Sequence, residues 1–248
     1  KYFFSWKENS LGKLPPNTNA VTAVMVPWTN AQKPMQDIVR WLNFDYGQTL
    51  QAHNNSVPWV ATWVMTSLRG EYPIDEALLM TAFMAHDHGE PGSGGDEHAN
   101  NKTPGKEIKE WEVYMEDTEH LPEPMREYVR KAFLIQYVRK QEHPDEPWPH
   151  PLIASVAKVR ASYIIEPAVW DLIEWMDYLF TAVDGFQKKV KTEEEGMLEH
   201  CFGNYARKLD VLVREFPGFS MVWNQLLRDW IESLVQEELQ RDAFKRSN

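Results

Sequence analysis

The sequence predicts an all-α protein, a single helical bundle preceded by an irregular N-terminal arm. Apolar residues recur at i, i+3 and i+4 through most of the chain beyond residue 34, the spacing of helices that each bury one face. Glycine and proline punctuate these stretches, and acidic residues stand at helix starts, where the backbone dipole favours negative charge. At 248 residues and 43% hydrophobic content the chain can build one sizeable core, and nothing in its composition demands a second. The expected division is an arm, 1–34, packed on a bundle, 35–248.

Residues 1–34 carry Pro15, Pro16, Pro27 and Pro34 with no sustained period, so they read as irregular chain whose Tyr2, Phe3, Phe4, Trp6 and Trp28 pack on the body. The spacing of Met35, Ile38, Val39 and Leu42 predicts a helix over 35–42, with Arg40 and Trp41 at its end facing a pocket. After a polar connector comes A-H-N-N-S-V-P-W-V-A-T-W-V-M-T-S-L. Pro58 is expected early in this helix, where a missing N–H is tolerated, with His53 leading into it or in its first turn. The run P-I-D-E-A-L-L-M-T-A-F-M-A-H-D predicts a helix ending at His86 and Asp87. The loop after it is too rich in glycine for a regular helix, and it supplies Glu90 and Asp96.

Two helices are expected over 107–140, restarting at L-P-E-P-M-R-E-Y, with Glu107, Lys109, Glu110, Arg126, Glu127, Arg130 and Lys131 on solvated faces. A proline-rich connector holding His143 and His150 leads to a helix over 152–165. The run P-A-V-W-D-L-I-E-W-M-D-Y-L-F-T-A-V-D is apolar around most of its circumference and predicts a central helix. Beyond Gly185 a charged loop precedes two amphipathic helices, 197–216 and 219–244.

Charge and cysteine content narrow the function classes. A formal net charge of −11 argues against a broad grip on a nucleic-acid polymer, which needs a basic face to displace counterions. Small anionic substrates stay open wherever basic residues gather locally. One cysteine, Cys201, excludes an intrachain disulfide framework and points to a reducing compartment. No apolar run approaches a membrane span and no signal-peptide pattern opens the sequence, so the expectation is a cytoplasmic protein without a membrane partner.

The chemistry gathers at the polar ends of apolar helices. His86 and Asp87 close a buried helix, and a neutral imidazole beside a carboxylate is a natural pair of ligands for a divalent metal if further ligands arrive from other helices. His53, at a helix start, gains weight from that company. Asp171 and Asp177 lie on the central helix, where a carboxylate is costly unless paired, metal-bound or turned to water. Six positions apart, they do not share a face, and either could complete the set. Glu90 and Asp96 are candidate proton-handling carboxylates in the glycine-rich loop.

This order of residues resembles the HD-domain metal-dependent phosphohydrolases, and more narrowly the HD-domain 5'-deoxynucleotidase group. Four segments carry the resemblance: Arg40-Trp41 ahead of His53; H-D-H-G-E with Gly95-Asp96 after it; L-P-E-P-M-R-E; and L-I-E-W-M-D-Y-L. The resemblance implies an HD-domain helical bundle that hydrolyses (deoxy)nucleoside 5'-monophosphates with one divalent transition metal ion, for which Mn, Co, Fe, Ni and Zn all qualify. It makes His53, His86, Asp87 and Asp177 the metal ligands, Asp177 being preferred to Asp171 by its flanking residues. Glu90 becomes the acid or base, Asp96 a sugar-contacting or water-positioning carboxylate, Arg40 a phosphate clamp and Trp41 a packing surface for the nucleoside. The implied partner is a small nucleotide, and a homodimer is compatible with the pattern. The chain departs from the family in having Ala52 where an acidic residue usually precedes the first histidine. Alternatives within the same fold are a deoxynucleoside triphosphate hydrolase and a di-iron oxygenase recruiting His88, His98 and His120; outside enzymes, a noncatalytic nucleotide-binding protein is the remaining class.

Overall fold

The computed structural model describes residues 34–41, 44, 46–93, 104–140, 150–192 and 195–246. These form helices α1 (Leu50–Ser67), α2 (Glu76–Ala85), α3 (Glu90–Ser93), α4 (Pro104–Asp117), α5 (Glu123–Val138), α6 (His150–Ser162), α7 (Ile165–Lys188), α8 (Met197–Glu215) and α9 (Gln225–Arg246), with a 3-10 turn, Pro217–Met221, between the last two. The architecture is the all-α bundle expected. Among the described residues, extended pairing is confined to isolated bridges such as Val39 with Thr49. Residues 1–33 of the expected arm 1–34, together with Asp96, His98 and His143, lie outside the described residues.

The central helix is α7. Its Trp170, Leu172, Ile173, Met176, Leu179 and Ala182 are all buried, and it packs against α1, α5 and α8. A helix apolar on so much of its surface has to be enclosed by neighbours, because leaving a large aliphatic or aromatic side chain in water forgoes roughly 1.5–3 kcal/mol each. It stops at Lys189, whose left-handed backbone (φ 62°) turns the cap N–H back to the carbonyls of Gly185 and Phe186.

Helix α2 buries Leu78, Leu79, Ala82 and Phe83 and packs on α1 and α5. Asp75 caps it by accepting from the Leu78 amide at 2.9 Å, while its own amide donates to Glu166 Oε1 at 3.0 Å. That second bond ties the starts of α2 and α7 together. The rings of Phe83 and Trp170 stack at 3.9 Å and hold the far end of α2 against the same helix. The polar terminus of α2 is thereby held against the middle of the bundle.

Several local expectations change. Of the helix expected over 35–42, residues 36–41 are not helical. Its residues turn back on the start of α1, with Arg40 N–H donating to Gln48 O at 2.7 Å and Leu50 N–H to Ile38 O at 2.8 Å. Pro58 sits in the interior of α1, which already begins at Leu50 under the Thr49 cap, so His53 falls in the first turn. His150 opens α6 and is not in a connector, and α9 starts later than expected because the 3-10 turn occupies 217–221. Glu107 and Glu110 are buried on α4 and not solvated. The reason is the close approach of α4 to the turn after α2: a Cβ on Gly89 would lie 2.2 Å from the Glu110 carbonyl oxygen, so glycine is needed there. No helix among the described residues is long and apolar enough to cross a membrane.

Candidate metal site

Four side chains expected from three separate stretches meet in the interior. His53 arrives from the first turn of α1, His86 and Asp87 from the end of α2, and Asp177 from the middle of α7; all four are buried. The facing Nε2 atoms of His53 and His86 are 3.2 Å apart. Asp87 places Oδ1 3.0 Å from His86 Nε2 and Oδ2 3.8 Å from His53 Nε2. Asp177 Oδ2 lies 3.0 Å from His53 Nδ1.

Orientation of the His86 ring follows from the backbone. Its Nδ1 is 2.8 Å from the Phe83 carbonyl, which can only accept, so Nδ1 carries the hydrogen and Nε2 faces His53. Gln136 of α5 fixes the same turn from the other side, its Nε2 donating to the His86 carbonyl at 3.3 Å. The indole of Trp170 packs edge-on to the His86 ring at 5.4 Å. These supports are the ones a ligand imidazole needs to hold its direction.

The facing imidazoles and a neighbouring carboxylate fit a divalent cation: His53, His86 and Glu174 each offer a ligand atom within 4.8 Å of the others, whereas Asp177 meets His53 at its other ring nitrogen. Nitrogens sharing one ion at about 2.0–2.1 Å each stand about 3 Å apart, close to the separation of the two Nε2 atoms. His53 Nδ1, Asp87 Oδ2, Asp177 Oδ2 and Glu174 Oε2 are buried without a hydrogen-bond partner, and such a concentration of unsatisfied atoms in one place is costly without a cation. Asp177 Oδ2 and His53 Nδ1 are in contact but not aligned as a hydrogen bond.

Electrostatics within the cluster are mutual. Burial works against a charge on His86, yet the adjacent Asp87 carboxylate raises it to about 9, with a smaller push from Glu174. Burial likewise works to raise Asp87, but His86, followed by His53 and Arg40, holds it well below the usual carboxylate range. The sign for folding follows. With its folded pKa above the unfolded value, His86 contributes stability that is complete below about pH 6.5. That contribution is lost as pH rises through about 9. Denaturation of the chelator-treated chain should therefore show a falling midpoint between pH 6.5 and 9.5, and His86→Gln should lack that component; equal slopes for the two proteins would refute it.

Arg40 and Trp41 are brought beside this cluster. The left-handed backbone of Trp41 (φ 59°) turns the chain over α7. The indole N–H donates to Gln48 Oε1 at 3.0 Å, and its ring meets Tyr178 edge-on at 5.6 Å. Arg40 is buried, with its guanidinium 5.6 Å from the Tyr178 ring centre and one nitrogen 3.4 Å from the Tyr178 hydroxyl. Tyr178 lies parallel to the His53 ring at 6.4 Å, so the arginine and the first histidine flank one aromatic side chain.

Glu90 opens α3 and is buried, its amide donating to the Asp87 carbonyl at 3.0 Å. Its charge is felt by Tyr137 of α5, whose hydroxyl is raised well above its ordinary range by burial and by Glu110, Glu107 and Glu90. Asp171 is drawn elsewhere: Oδ2 pairs with Arg139 Nε at 2.9 Å, and Arg139 also grips Glu215 of α8. Burial pushes the Asp171 carboxyl up to about 7 although Arg139 pulls it down. Of the additional histidines, His88 is buried and pushed by burial down to about 4, and His120 is exposed on the turn after α4.

Sequence reasoning missed Glu174, Tyr178 and Gln136. Glu174 offers a carboxylate oxygen that lies, with one nitrogen each of His53 and His86, in a group whose ligand atoms are all within 4.8 Å of one another. A signal was present, since Glu174 precedes Asp177 by three positions and so shares its side of a mostly apolar helix. A separate pocket is lined by Met35, Gln51, Asn54, Asn55, Pro58, Met84 and His88, and none of the four clustered side chains lines it.

No family model and no curated protein matches the sequence. Among solved structures, the chain is similar to a predicted metal-dependent phosphohydrolase from Magnetospirillum magnetotacticum MS-1, with a TM-score of 0.51, 16% identity, and alignment over 92% of this chain and 97% of that one. Across nearly the whole length of both chains, then, the bundle has the fold of that protein.

Proposed function

We propose that this chain is a metal-dependent phosphohydrolase that releases phosphate from nucleotides, preferentially (deoxy)nucleoside 5'-monophosphates. The observation that carries the reading is the convergence of His53, His86 and Asp87 with carboxylates of α7, their donor atoms buried and facing one another. The similar fold of a predicted metal-dependent phosphohydrolase supports it. When bound there, a divalent ion polarises a phosphoryl oxygen and makes a water nucleophilic near neutral pH.

The remaining work belongs to the chain's own groups. Arg40 presents a planar guanidinium that can grip two phosphate oxygens at once, steadied by Tyr178. Trp41, locked by Gln48, packs the nucleoside. Glu90 holds the proton that the leaving 5'-oxygen takes as the phosphorus–oxygen bond breaks, because an alkoxide departs poorly unaided. Asp96 positions the sugar or the water.

The test is phosphate release from nucleoside mono-, di- and triphosphates by protein loaded with Mn2+ or Co2+. Monophosphates should be the best substrates; release from triphosphates alone, or from none with the metal bound, contradicts the reading. Arg40→Lys should raise KM about tenfold, since an ammonium keeps the charge but forfeits one charged hydrogen bond. Unchanged kinetic constants would remove Arg40 from the phosphate site.

A further inference from the structure

The expected ligand set takes one carboxylate from α7, but the helix brings two. Glu174 and Asp177 are three residues apart and therefore neighbours on one side of the helix, whereas Asp171 is turned to Arg139. Glu174 is the one that groups with both imidazoles at ligand spacing. Its Oε2 is buried and has no hydrogen-bond partner. The same carboxylate lies within reach of His86 and of the Tyr178 hydroxyl one turn further along α7, and its charge raises the pKa of both.

We infer that Glu174 is a direct metal ligand, making this a carboxylate-rich centre in which two histidines are joined by Asp87, Asp177 and Glu174. This rests on the reading of the cluster as a divalent metal site. The consequence is a preference in metal chemistry. Structural zinc sites are closed by four donors, whereas a set dominated by carboxylate oxygen with two imidazoles suits an ion of higher coordination number such as Mn2+ or Fe2+. Tyr178 stands one helical turn beyond this ligand and its hydroxyl accepts from Arg40 at 3.4 Å, so the same tyrosine neighbours the group that clamps phosphate and the extra ligand.

The competing account is that Glu174 only stands beside the Tyr178 hydroxyl without reaching the ion. Two variants separate the accounts when Mn2+ affinity is measured by titration of metal-free protein. Glu174→Gln should raise the Kd for Mn2+ by more than about 100-fold, beyond the roughly 10- to 100-fold cost of losing an outer-shell partner, while Tyr178→Phe, which removes the hydroxyl and leaves the carboxylate, should keep the wild-type value. Wild-type affinity in Glu174→Gln, or an equal loss in both variants, overturns the inference. Should Glu174→Gln not fold, the crystal structure of the wild-type chain soaked in Mn2+ decides: a Glu174 oxygen bonded to the anomalous peak sustains the assignment, and an ion held without it overturns it. Failure of the wild-type chain to bind Mn2+, Fe2+, Co2+, Ni2+ or Zn2+ at His53 and His86 overturns both the inference and the metal reading beneath it, and so is distinguishable from failure of the inference alone.

Discussion

His86→Ala is expected to empty the metal centre and reduce phosphate release by about three orders of magnitude or more, at least ~4 kcal/mol of transition-state stabilisation. The effect should be this large because His86 meets both His53 and Asp87 and is fixed from two further sides. Its Nε2 is 3.2 Å from His53 and 3.0 Å from Asp87, while its Nδ1 is held by the Phe83 carbonyl and its own carbonyl by Gln136. Alanine removes one ligand and leaves the Asp87 carboxylate without its nearest cation. Metal content and phosphate release should fall together while the helical signal persists, since the Phe83–Trp170 stack and the α2–α5 packing remain. Full metal occupancy in the variant would remove His86 from the ligand set.

Glu90→Gln should behave in the opposite way. The amide preserves size and part of the hydrogen bonding in a buried position but has no transferable proton, so turnover should fall by about 10² to 10⁴ with metal and nucleotide still bound. The split between kcat and binding is diagnostic, because a lost structural contact would weaken both. Glu90 is near enough to Tyr137 of α5 for its charge to help raise that buried hydroxyl. Near-normal turnover in Glu90→Gln, with Asp96→Asn inactive but metal-loaded, would assign the proton to Asp96.

How much of this was legible depended on whether the signal was periodic or tertiary. The central helix could be read because Trp170 to Val183 is apolar on nearly every side, and the ends of α2 because Asp75 caps its start and a glycine follows its polar terminus; the end of α7, expected at Gly185, lies at Lys188. The separate fates of Asp171 and Asp177 followed from their spacing: one meets Arg139, the other His53. The segment at 35–42 was misread because a few apolar residues at helical spacing cannot outweigh a backbone pairing with 48–50 that only the folded chain supplies. Glu107 and Glu110 look like solvated charges until α4 closes over Gly89. Glu174 was overlooked for a different reason, since its place beside Asp177 was readable but both histidines that give it meaning come from other helices.

The account turns on a single divalent ion held by His53, His86 and Asp87 with carboxylates of α7. Elemental analysis of protein purified without chelator and without added metal measures this most directly. One divalent transition metal ion per chain, lost in His86→Ala and retained in Asp171→Ala, is the result predicted. Two irons per chain would make the centre an oxygen-activating one, and a wild-type chain carrying no metal and binding none on titration would contradict the account at its foundation.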